Sequence, residues 1–194
     1  VEYAVVDDGI REVSGVVTND FRASMQQPKV SVYMVYSGDI VSNAKTRMTM
    51  ELLSRALDSR YLVSIREEKG GTYGVQVSGT INEEPVDRYE LMVAFDTNEL
   101  LADELVEIVD AEIQKIATEG PLADDIAKSK EFLQKNYNNV LEHNSGWMSA
   151  IYRWYEEGYN YKDEYLGVLE NTTNDDVKEL AQKILNDNNR TLVI

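Results

Sequence analysis

The chain has 194 residues and a formal net charge of −16, from 35 acidic against 19 basic side chains. That length suits one domain, or one large α+β unit with a substantial core, and the charge argues against nucleic acid, other polyphosphates and anionic membranes, which are held by Lys and Arg. With no cysteine and a single histidine, His143, the chain has no disulfide framework, thiolate zinc knot or cysteine nucleophile; a zinc-dependent or nucleophilic site, if one is involved, must be completed from outside it.

No apolar run approaches the roughly 20 residues of a membrane helix, and VEYAVVDDG lacks the basic and apolar regions of a signal peptide. The missing initiator Met fits an excised or processed piece, with any targeting segment upstream and the bacterial periplasm or the cytoplasm as the expected compartments. Residues 1–27 form a lead-in segment, an edge strand or a crossover from a preceding domain, with weak alternation at Val13, Gly15 and Val17. Residues 28–194 are expected to form a single α+β domain.

Val30, Val32, Met34 and Tyr36 alternate with Ser31, Tyr33 and Val35 as a strand with two fairly apolar faces, ended by Ser37-Gly38-Asp39. Met48, Leu52, Leu53, Ala56 and Leu57 recur at helical spacing, and this helix runs toward Ile65 until Gly70-Gly71 breaks it. Tyr73, Val75, Val77 and Gly79 predict a strand, paired across the polar turn NEEPVD with Tyr89, Leu91, Val93 and Phe95. Leu101, Leu105, Ile108, Val109, Ile113 and Ile116 mark a helix stopped at Gly120-Pro121. Leu122, Ile126, Leu133, Tyr137, Val140 and Leu141 form the buried stripe of the next.

NSGWMSAIYRWYEEGYNYKDEYL reads as a helix through Glu157, a turn at Gly158 and a second helix from about Tyr161. Thr173 and Asp176 resemble a capping box that opens a last helix, and Thr191–Ile194 closes the chain as a strand. The order favours α+β, with an antiparallel or mixed sheet covered by helices.

The densest chemical signal is IREEKGGTYGVQVSGT, residues 65–80. Arg66 is a permanent cation with a planar fork of donors, and Tyr73 offers a neutral phenol across the glycine turn. Aimed together at a carbonyl that gains negative charge, they suit acyl transfer or peptide hydrolysis, although donors alone do not activate water. The same residues also fit an exposed helix-end cation, free or paired with Glu67 or Glu68, and a strand aromatic on the sheet.

Neither His-x-x-Glu-His nor His-Glu-x-x-His occurs, so no metal site is expected here; His143 fits a helix end, and Asp124-Asp125 and Asp175-Asp176 fit helix first turns. Trp147, Tyr152, Trp154, Tyr155, Tyr159, Tyr161 and Tyr165 could line a groove for peptide or sugar, but core packing with hydroxyls at the rim is the favoured reading. Asn171-Thr172-Thr173 and Asn189-Arg190-Thr191 match the glycosylation pattern by chance, since caps and turns favour the same residues.

The run from Ser42 to Thr80, centred on LLSRALDSRYLVSIREEKGGTYGV, resembles the pitrilysin/insulinase-type zinc peptidases (inverzincins), and specifically their C-terminal homologous domain, which lacks the zinc motif. The likeness extends to PKVSVYMVYSG, to the Glu119-Gly120-Pro121-Leu122 break, and to TTNDDVKELAQKIL leading into RTLVI. The resemblance implies one domain of the pitrilysin/mitochondrial processing peptidase fold, part of a zinc metalloendopeptidase and inactive alone. A zinc-bearing N-terminal domain or subunit faces it around a peptide substrate; zinc belongs to that partner and no cofactor to this chain. Arg66 would hold substrate, and Tyr73 would donate to the carbonyl oxygen. The alternatives are a non-catalytic scaffold or partner subunit, or a peptide-binding module, of the same fold.

Overall fold

In the computed structural model, which describes residues 5–24, 26–70 and 72–194, the alternating segments assemble into one sheet. Its strands are β1 (Val16–Asn19), β2 (Val30–Asp39), β3 (Val75–Asn82), β4 (Arg88–Thr97) and β5 (Arg190–Val193), in the order β1-β5-β2-β4-β3. β1 runs parallel to β5, and every other pairing is antiparallel. The helices are α1 (Ala44–Tyr61), α2 (Ala102–Glu119), α3 (Ala123–Glu142), α4 (Asn144–Glu157), α5 (Tyr161–Asn171) and α6 (Asn174–Asp187). The molecule is therefore α+β with a mixed, helix-covered sheet, as the order of segments implied.

Register explains the core. Val32, Met34 and Tyr36 of β2 stand opposite Phe95, Val93 and Leu91 of β4, so one face of the sheet presents a continuous apolar surface. β3 adds Val75, Val77 and Ile81 to that face, and β5 adds Leu192 opposite Met34. Stripes from α1 (Leu52, Leu53, Leu57), α2 (Leu105, Val109, Ile113) and α6 (Val177, Ala181, Ile184) complete one buried cluster with it. Each fully buried Leu or Ile contributes about 1.5–3 kcal/mol relative to an exposed one.

Buried polar groups are tied across this layer. The Tyr36 hydroxyl donates to Asp110 Oδ1 at 2.6 Å, and Arg190 closes an ion pair on the same carboxylate. Burial, reinforced by the Asp110 charge, raises the Tyr36 phenol pKa far above its usual range. Arg60 of α1 reaches Glu112 of α2 at 2.9 Å.

Three elements depart from the sequence reading. β2 continues through Ser37, Gly38 and Asp39, because Gly38 stands opposite Tyr89 and Asp39 opposite Arg88, to which it is ion-paired at 2.7 Å. β3 begins at Val75, so Tyr73 precedes the strand instead of opening it. The buried stripe expected on α3 holds at Ile126 and Leu133, but Leu122 is exposed and Tyr137, Val140 and Leu141 are half-buried, because the far end of α3 borders a cavity rather than the main core.

β1 is joined to β5 along its whole length, and the contact is extended by bonds from Arg190 N to Gly15 O at 3.0 Å and from Phe21 N to Ile194 O at 2.9 Å. Val13 lies outside the strand and is exposed. No helix among the described residues is long and apolar enough to cross a membrane.

Candidate functional site

The segment carrying Arg66 leaves α1 through a widened turn. Leu62–Glu67 is π-helical, with the Glu68 amide donating to Val63 O at 3.0 Å, one residue further than an α-helix allows. Ile65 is fully buried and anchors the turn to the core, while Arg66 beside it is exposed. Such single π turns recur at functional sites.

Gly70 then adopts a left-handed conformation (φ 61°) and donates its amide to Arg66 O at 3.1 Å. Gly71, the other half of the expected break, lies outside the described residues. Thr72 folds its hydroxyl back onto the Gly74 backbone, accepting from the amide at 3.2 Å and donating to the carbonyl at 2.9 Å. Tyr73 is held at the tip of this small turn with a relative exposure of 101%. Lys69 ties the connector to the start of α2 through Glu104 at 2.5 Å.

Arg66 and Tyr73 thus occupy one exposed connector between α1 and β3. Among the described residues neither side chain makes a hydrogen bond or ion pair, and none joins the two to each other; Arg66 takes neither Glu67 nor Glu68 as a partner. Tyr73 does not pack on the sheet. The connector leads straight into β3, an outer strand that among the described residues pairs with β4 alone. A shallow pocket beside it is lined by Gly74, Val75, Gln76, Tyr33 and Asp96.

Among the described residues no group of three or more His, Cys, Asp or Glu side chains could hold a metal ion. His143 is exposed at the junction of α3 and α4, where its carbonyl accepts from the Gly146 and Trp147 amides at 3.0 and 3.2 Å. The donor set does not fit zinc, whose catalytic sites take three protein ligands. Asn189 accepts from Gly15 N at 2.5 Å and donates to Ser37 Oγ at 3.1 Å, so packing explains its sequon.

The aromatic cluster divides. Tyr159 is buried, and Tyr161 and Tyr165 are half-buried with ring centroids 4.6 Å apart. Trp147, Tyr152, Trp154 and Tyr155 of α4 are exposed, which corrects the expectation of a core role for them. Gly146, Ser149, Ala150 and Arg153 form the helix face that borders a cavity, with Ser149 and Arg153 still exposed and the aromatics outside it. The Gly146 Cα sits so close to α3 that a Cβ would lie 1.9 Å from Val140 O, so the small stripe is the one that can approach. The sequence reading missed the cavity behind this stripe, into which Arg47, Glu51 and Arg55 of α1 face. Their four-residue spacing, which sets one charged row on a single face of α1, was the available signal.

Comparison with known proteins places this architecture. A sequence profile of the peptidase M16 inactive domain matches residues 13–133, more than half of the chain. The chain belongs to that family, the inactive C-terminal domain of zinc protease-like proteins. A zinc protease PQQL-like protein of Arabidopsis thaliana is 24% identical over 148 residues, 72% of this chain and 16% of that protein.

Among solved structures, the periplasmic protease PqqL from Escherichia coli superposes with a TM-score of 0.77 at 17% identity, over 93% of this chain and 20% of that one. A peptidase M16 inactive domain from Pseudomonas fluorescens gives a TM-score of 0.73 at 18% identity, over 98% of this chain and 45% of that one. The chain spans less than half of each of these proteins, and the structural matches establish the shared fold.

Proposed function

We propose that this chain is the substrate-binding, catalysis-supporting unit of a zinc endopeptidase whose metal site lies in another domain or subunit. Membership in the inactive-domain family supports the non-catalytic half of this reading, and the greater length of the matched proteins leaves room for a zinc-bearing partner. Zinc there would polarise the scissile carbonyl and activate water.

The observation that carries the role of this chain is the connector. An unpaired guanidinium and a fully exposed phenol sit on one short segment that enters an outer strand. An extended peptide could add to β3 by main-chain hydrogen bonds, with Arg66 gripping substrate and Tyr73 donating to the carbonyl oxygen as it gains charge.

Arg66→Lys and Tyr73→Phe, made in the complete zinc-containing protein, test this. Tyr73→Phe is expected to lower kcat by about 10²-fold, the usual effect of removing one preorganised donor. Both exposed substitutions should leave stability within about 0.5 kcal/mol. Unchanged turnover in both variants would replace the catalytic role with that of a scaffold subunit.

A further inference from the structure

We propose that the half-open cavity between α1, α3, α4 and α5 binds a carboxylate carried on a small apolar body, with Arg153 as its cationic partner. This does not rest on the roles of Arg66 and Tyr73. From Arg55, at the cavity wall, to Arg66 is about three helical turns, on the order of 15 Å along the axis.

The cavity measures about 350 Å³, the lower end of the range for small-ligand sites. It exists because the inward stripe of α4 is small: Gly146, Ser149 and Ala150 bring the helix close without filling the space beneath it. The ionisable lining is unusual for this molecule. In a chain of net charge −16, three guanidiniums, of Arg47, Arg55 and Arg153, line the space with the Glu51 carboxylate, while Glu83 and Glu157 reach Arg47 and the Glu164 charge acts on Tyr159.

Two of the three cations are already engaged. Arg47 pairs with Glu83 and Glu157, each at 2.5 Å. Arg55 donates to Glu51 at 2.7 Å and lies 4.4 Å over the Phe132 ring. Arg153 has no hydrogen bond or ion pair among the described residues. Its exposed side chain lies within the field of Glu83 but makes no ion pair at the cavity wall, so the guanidinium is positioned for an external anion, and its planar fork matches a carboxylate in bidentate geometry.

The remaining walls say what should carry that anion. Tyr159, Tyr161 and Tyr165 line the space, and among the described residues none of their hydroxyls makes a hydrogen bond. Tyr159 is more than nine-tenths buried. Burial, reinforced by the Glu164 charge, pushes its hydroxyl up to about 12 against the opposing fields of Arg153 and Arg47, so at neutral pH it is a protonated donor. Met48 and Leu133 supply apolar wall. Free phenols with apolar and aromatic surface suit a carboxylate attached to a small hydrophobic group better than a bare inorganic anion. A peptide C-terminus and an acidic side chain are the two sources of that chemistry.

Titration calorimetry on the full-length protein at low ionic strength tests the site with N-acetyl-phenylalanine, its C-terminal amide, N-acetyl-aspartate α-amide and inorganic phosphate. N-acetyl-phenylalanine should bind and its amide should not, and the stronger of the two carboxylate probes identifies the source. Arg153→Gln should weaken carboxylate binding at least tenfold. Ala150→Leu, which fills the cavity without touching its charge, should abolish it, with thermal melts confirming that both variants are folded. Equal binding of acid and amide would overturn the proposal, as would phosphate binding tighter than either carboxylate. So would unchanged affinity in Arg153→Gln, or no heat from any probe up to millimolar concentration.

Discussion

Gly38 marks the point where local sequence and tertiary packing disagree. Ser-Gly-Asp is a turn signal, yet a Cβ at Gly38 would lie 2.5 Å from Asp187 Oδ2 and 2.7 Å from the Tyr89 ring. The glycine therefore serves a close approach inside the sheet, where Tyr89 donates to Asp187 at 2.8 Å. Gly38→Ala should destabilise by about 1–3 kcal/mol, the range for overpacking, with an unchanged denaturant slope in a urea melt. Thr173 and Asp176 were legible from sequence because a capping box is a purely local device. Their reciprocal bonds form at 2.7 and 3.2 Å. Burial works to raise the Asp176 carboxyl, but hydrogen bonds from Lys45 and from the Thr173 amide and hydroxyl outweigh it and hold the group below its ordinary 3.8. Because the folded value is depressed, this stabilisation is present above pH 3.8 and is lost as pH falls through the lower folded value. Asp176→Ala should therefore cost about 1 kcal/mol at pH 7, and thermal melts should show the gap to wild type closing in acid.

For α4, helical periodicity established the element but not which side faces in. Two stripes compete on it, one aromatic and one of small residues, and hydrophobicity alone favours burying the first. Backbone proximity to α3 decided for the second, information no single-chain pattern carries. The helix consequently has no buried residue, whereas α1 buries Leu52, Leu53 and Leu57 completely. Native-state hydrogen exchange should follow that contrast: amides of α4 should exchange well before those of α1, which open only with the whole core. Protection in α4 equal to that in α1 would mean that its outer face is covered in solution. The connector after α1 was legible in its residues but not in its form. Arg66 and Tyr73 stood out by chemistry, while the π turn around the buried Ile65 and the start of β3 only at Val75 left no local signal.

At the level of the whole molecule, strands and helices followed from periodicity and the β3–β4 hairpin from its turn, but the rest of the strand order did not. Alternation identifies a strand without naming its neighbour, and the pairing of β1 with β5 joins Val16 to Arg190 across almost the entire sequence. The net charge of −16 gave no hint of the arginines gathered at one cavity, since a local cluster leaves no trace in a sum.

The parallel pairing of β1 with β5 carries a consequence for biosynthesis. β1 emerges from the ribosome long before β5, which is made after every helix, and β5 also intervenes between β1 and β2. Until β5 is made, β1 has no neighbouring strand to pair with and waits beside a half-built sheet, which the early segment touches through the ion pair of Glu12 with Arg88. A nascent polypeptide stalled just short of Arg190 would hold β2, β4 and β3 together and leave β1 within reach of chaperone or protease.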